Sequence, residues 1–139
     1  MKEKTKKYML NIFKNHNFKL SETEAINPKV WHGIAGAIYM ENVLGIDIEN
    51  IINAVKYHTV PRKDMTTFEK IIFIADRISK DRIYKDVAYL RKLAKSNINE
   101  AVLYSLKNTI GSLLKKEGTI STPTVECYNN LLLNKKWRN

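Results

Sequence analysis

The stretch TTFEKIIFIADRIS, residues 66–79, decides the fold class. Thr66 and Glu69 stand three apart, the spacing of a capping box, in which each side chain satisfies the other residue's backbone N–H at a helix start. Behind them Phe68 and Ile72 recur at the four-residue step that lines one side of a helix, and Asp76 continues that row. The spacing predicts a helix over 67–79 rather than a strand.

The same reading extends in both directions. Upstream, Ile48, Ile51, Ile52 and Val55 predict a helix over 48–59, capped by Asp47 and ended by Pro61. Asn27-Pro28 starts another over 29–44, which Gly45 stops. Tyr8, Met9, Ile12 and Phe13 share one face of a first helix over 4–15. Downstream, Val87, Leu90 and Leu93 mark a short helix over 86–95. Asn97 with Glu100 opens the longest, over 98–116, with Leu103, Leu106, Ile110 and Leu113 inward and Gly118 closing it. Thr122-Pro123 starts the last, over 123–134. The fold class is all-α, about seven helices in a single domain over residues 1–139.

Composition agrees. Hydrophobic residues make up 44% of the 139, too many for a disordered tail, and five Gly and three Pro are too few for a turn-rich β protein. Cys127 stands alone, so there is no intramolecular disulfide and no cysteine-only zinc site. No apolar run approaches the ~20 residues that span a bilayer, and the N-terminus makes a poor signal peptide. A cytoplasmic protein is expected, with no membrane partner. The 24 Lys and Arg against 14 Asp and Glu give a net charge of +10. That excess suits a polyanion, but it equally suits a lysine-rich surface with no specific partner. No nucleic-acid recognition motif accompanies it.

Three polar residues fall on faces that read as apolar. His58 is three after Val55 and seven after Ile51, Asp76 is four after Ile72, and His32 lies three before Ala35 and next to Trp31. Gly33 and Gly36 beside His32 would let a backbone or ligand come close. Taken singly, an inward His is commonly a hydrogen-bonded core residue, and Asp76 could pair with Arg77, Lys80 or Arg82. Taken together, two imidazoles and a carboxylate could bind a divalent transition metal.

At these residues the chain resembles a known family. NPKVWHGIAGAIY (27–39), VKYHTVPRKDMTTFEKIIFIADRISKDR (55–82) and TISTPTVECYNNLL (119–132) look like the YqeK-type HD-domain phosphohydrolases, a symmetrical diadenosine tetraphosphatase group. The resemblance implies a helical HD fold around a binuclear metal centre, with iron as the metal. It implies His32, His58 and Asp76 as metal ligands, Asp76 also as a catalytic residue, and Arg82 as a phosphate contact. Thr59, Arg62 and Lys70 would lie beside the substrate. Family members also carry an earlier metal-binding His and a His-Asp pair, and this sequence contains no His-Asp dipeptide. His16 is followed by Asn17 and reads as an exposed helix end.

The expectation is therefore the C-terminal portion of a nucleotide-binding, metal-dependent hydrolase that splits diadenosine tetraphosphate into two ADP, with an incomplete metal site and an N-terminal truncation. The alternative is a catalytically inactive nucleotide-binding or regulatory remnant. A dinucleoside polyphosphate is the expected partner. The missing segment would leave apolar surface uncovered, which fits a homodimer.

Overall fold

The computed structural model describes residues 1–138, apart from the side chains of Lys135 and Arg138; Asn139 lies outside it. Among the described residues eight α-helices follow one another: α1 (Lys6–Asn15), α2 (Glu22–Ala25), α3 (Trp31–Asn42), α4 (Glu49–Lys56), α5 (Thr67–Ile78), α6 (Val87–Ser96), α7 (Ile98–Lys115) and α8 (Thr122–Leu133). Two 3-10 turns, Pro28–Val30 and Lys135–Arg138, complete the order, and there is no strand among the described residues. The element beyond the expected seven is α2. Ser21 and Glu24 form a complete capping box there, a signal that reads as polar loop in the sequence because only one turn follows it.

Caps explain the other starts. Thr66 and Glu69 form the expected box at α5, and the Asn97 side chain accepts from the backbone N–H of Asn99 and Glu100 at α7. Gly45, with φ +66, turns the chain out of α3. The expected helix over 29–44 begins as a 3-10 turn, since Pro28 leads it, and becomes α-helical only at Trp31. The expected helix over 48–59 ends at Lys56, so His58 lies in the turn beyond α4. Asp47 gives no side-chain cap; Ile48 holds that position and is exposed.

The buried apolar residues form two clusters. Met9, Ile12, Phe13, Trp31, Ile34 and Ala35 join α1 to α3. Phe73, Ile74, Leu90, Val102, Leu106 and Leu131 are among those joining α5 through α8. Helix α4 packs between α3 and α5 and links the two. The surface of 9226 Å² exceeds the roughly 7,500 Å² usual for this mass. Val43, Leu44, Ile48, Phe68 and Ile71 contribute to it as exposed apolar side chains.

Helix α5 turns a different face inward from the one its apolar row suggests. Phe68 is 40% exposed, whereas Glu69 is 1% exposed and Phe73 and Ile74 are buried. Glu69 tolerates this because every side of its carboxylate is met. Arg62 donates to it twice, from Nε at 2.9 Å and Nη2 at 3.1 Å, and the Thr66 backbone N–H donates at 2.7 Å. The same bonds hold the Arg62 guanidinium above its ordinary pKa. Glu69→Ala would strip both the cap and the arginine of their acceptor. The expected loss is about 3 kcal/mol, read as a lower urea midpoint, with Glu69→Gln losing less because it keeps one acceptor.

Candidate metal and phosphate site

The site is built where α3 meets the end of α4. A Cβ placed on Gly33 would stand 3.1 Å from the carbonyl oxygens of both Val55 and Lys56, and 3.3 Å from His58 Cε1. Glycine allows that approach as it stands, whereas a Cβ would make the neighbouring backbone give by a few tenths of an ångström. The approach brings the His32 and His58 rings to a centroid separation of 4.9 Å, with their Nε2 atoms 3.0 Å apart.

The other nitrogens fix the protonation pattern. His32 Nδ1 lies 2.9 Å from the Lys29 carbonyl and His58 Nδ1 lies 2.6 Å from the Val55 carbonyl. A carbonyl only accepts, so each Nδ1–H donates. With both rings neutral, the two Nε2 atoms would present lone pairs to one another. A shared proton or a cation has to resolve that repulsion. Burial, then the neighbouring His58, pushes the His32 pKa down, which opposes the proton. A metal ion fits the donors: two nitrogens each about 2.1 Å from one ion and at a right angle stand about 3.0 Å apart.

Asp76 lies elsewhere on the rim. Its side chain is 37% exposed and its Oδ1 accepts from Arg82 Nη2 at 3.4 Å, while Arg82 Nε donates to its backbone carbonyl at 3.0 Å. The core position expected for Asp76 is therefore corrected to a half-exposed one, and Arg82 is the partner among the three cations considered. Its charge still reaches His32, where it acts against the downward shift. Among the described residues no group of three His, Cys, Asp or Glu converges on one point.

The remaining expected residues have partners of their own. Thr59 directly follows His58 and its carbonyl accepts from Arg77. Arg62 is held by Glu69, and Lys70 Nζ donates to Asn99 Oδ1 at 2.9 Å. His16 is the exposed C-cap of α1, as its position suggests.

Arg77 is the positioning residue that apolar spacing overlooks. Its guanidinium lies over the Phe73 ring, 3.5 Å from the centroid, and donates to the carbonyls of His58 at 3.0 Å and Phe73 at 2.8 Å. It thereby fixes the turn that carries His58. Burial lowers its pKa to about 10, so it stays charged at neutral pH. The signal was present: Arg77 is four after Phe73 and eight after Glu69, on the face that is in fact buried.

No family model matches the chain. The symmetrical bis(5'-nucleosyl)-tetraphosphatase of Bacillus subtilis is 39% identical over 106 residues, 76% of this chain and 57% of that protein. The protein of the same name from Halalkalibacterium halodurans is 39% identical over 120 residues, 85% of this chain and 64% of its own length. A crystal structure from Clostridium acetobutylicum, described as a predicted HD superfamily hydrolase involved in NAD metabolism, superposes with a TM-score of 0.88 at 37% identity. It matches 95% of this chain and 70% of that one. The chain belongs to the YqeK-type HD-domain family. It spans about three-fifths of the length of the two curated HD-domain relatives. A divalent metal goes with HD hydrolases.

Two outcomes are expected. Gly33→Ala should force the end of α4 outward, part the imidazoles and weaken Mn²⁺ binding about tenfold or more by calorimetry. Gly36→Ala should do less, since its Cβ would meet only side-chain atoms, of Val55 and Met1. The second outcome concerns pH. With the folded His32 pKa below its ordinary 6.5, the unfolded chain binds the proton more readily. The metal-free protein should keep its full stability above that value and lose it as pH falls below, a slope that His32→Asn should flatten.

Proposed function

We propose that this chain carries part of the active site of a symmetrical dinucleoside tetraphosphate hydrolase, which splits diadenosine tetraphosphate into two ADP. The observation that carries the reading is the pair of facing Nε2 atoms 3.0 Å apart, in a chain 39% identical to relatives with that name. His32 and His58 would hold the metal, and Asp76 would complete a two-histidine, one-carboxylate set. We infer iron, because that donor set with open positions suits ferrous iron. A divalent ion held there would polarise a phosphoryl oxygen and a water molecule.

The chain's own residues account for the rest. Asp76 turned toward the ion would release the Arg82 guanidinium, whose fork matches phosphate oxygens. Arg77 keeps the His58 turn in place. Thr59, Arg62 and Lys70 are assigned secondary contacts or positive charge at the phosphate chain. The net charge of +10 would concentrate a polyanionic dinucleotide near the rim. No helix among the described residues is long and apolar enough to cross a membrane, and we place the protein in the cytoplasm.

A second reading, nucleotide binding without turnover, is favoured by the lack of a three-ligand group among the described residues. One experiment separates the two. The chain is loaded with Fe²⁺ anaerobically, its iron content measured, and diadenosine tetraphosphate products resolved by chromatography. The hydrolase reading expects bound iron and ADP as sole product, with Asp76→Ala lowering the rate at least about a hundredfold. Binding of the dinucleotide with no ADP formed would favour the second reading. A chain that takes up neither iron nor dinucleotide would overturn both.

A further inference from the structure

No glycine follows α5; its C-cap is Ser79, and side chains do the capping. The last carbonyls of a helix have no partner within it. Here four in succession are met from beyond the helix end. Arg82 Nε donates to the Asp76 carbonyl at 3.0 Å, and the Tyr84 hydroxyl donates to the Arg77 carbonyl at 2.9 Å. Arg91 on α6 meets the next two: its Nε donates to the Ile78 carbonyl at 3.1 Å and its Nη2 to the Ser79 carbonyl at 2.9 Å. The same Nη2 reaches the Arg82 carbonyl at 3.3 Å. A cation suits this place, because the C-terminal end of the helix dipole is negative. Apolar packing does little for the turn. None of residues 79–86 is buried, and Ile83 is 94% exposed. Arg91 itself is well anchored, since it follows Leu90, which is buried in the core shared by α5 through α8.

We infer that Arg91 is a positioning residue for phosphate recognition: it clamps the 78–82 turn to α6 and so holds Arg82 in place beside Asp76. The inference rests on the hydrolase reading, in which Arg82 contacts the phosphate chain once Asp76 turns to the metal. At that moment Arg82 gives up its bond to Asp76 Oδ1, and the backbone beneath it has to stay fixed without that tether. A long side chain rooted on a fixed turn loses less freedom on binding than one on a loose turn, so the clamp favours affinity. The chemistry explains the residue type. A guanidinium sends N–H groups in fixed, diverging directions and meets three carbonyls here, whereas lysine brings all its donors to one nitrogen.

The test is a double-mutant cycle on Arg82 and Arg91 in the full chain, read by calorimetry with inorganic pyrophosphate. Arg82→Ala and Arg91→Ala should each weaken pyrophosphate about tenfold, and the double variant should bind no more weakly than Arg82→Ala alone. That coincidence is what a merely structural role would not produce. Arg91→Lys should lose less than Arg91→Ala. The carbonyls freed by Arg91→Ala lie on an exposed turn where water can meet them, so the variant should fold; if it does not, Arg91→Lys carries the cycle. Mn²⁺ affinity should be unchanged in the Arg91 variants, because Gly33 and Arg77 hold the histidines. Losses that add in the double variant, an Arg91 variant that binds pyrophosphate as wild type does, or an equal loss of Mn²⁺ would overturn the positioning role and leave the hydrolase reading standing. Coincident losses in a chain that forms no ADP from diadenosine tetraphosphate would overturn the hydrolase reading alone. A wild-type chain that binds no pyrophosphate would overturn the positioning role even where ADP is formed.

Discussion

The close approach of α3 to the end of α4 is the constraint on which the site depends. It exists because Gly33 has no side chain, and two backbone carbonyls occupy the space a Cβ would need. Those carbonyls come from Val55 and Lys56, and Val55 also accepts from His58 Nδ1. One contact therefore sets the distance between the helices, the orientation of His58 and the exposure of its lone pair to His32. The approach of the two Nε2 atoms to 3.0 Å is the chemical consequence.

Charged residues turned inward hold this arrangement from the other side. Glu69 and Arg77 share the buried face of α5 with Phe73. Glu69 is neutralised by Arg62 across the α4–α5 connection, and Arg77 binds the carbonyls of the turn that follows α4. A buried charge is tolerable only when paired or fully hydrogen-bonded, and both conditions are met here. The two histidines and the connection between α4 and α5 are thus fixed by polar bonds at the junction of two apolar clusters, where packing alone would leave them free to shift.

The helices were legible in the sequence because their signals are local. Capping boxes, Gly45 and the prolines act over three or four residues, so α5 and α7 start where Thr66 and Asn97 indicate. Gly33 marked a close approach beside His32, but His58 lies in the turn beyond α4 and not on the helix face its spacing suggests. Asp76 was harder. Its row with Phe68 and Ile72 reads as core, yet Phe68 is 40% exposed and Asp76 meets Arg82 instead. Apolar spacing names a face, but it cannot say that a neighbouring face, containing a glutamate and an arginine, is the one that will be covered.

The sequence by itself determined an all-helical chain, the boundaries of most helices within a few residues, and the residue types able to bind a metal and phosphate. Those follow from periodicity and capping, which need no knowledge of distant segments. The tertiary structure decided which of them meet. It placed His32 Nε2 against His58 Nε2 across 26 residues of chain, gave Asp76 to Arg82, and buried Glu69 with Arg62. Each of these is a choice of partner, and partner choice depends on desolvation and distance between segments that local sequence does not encode.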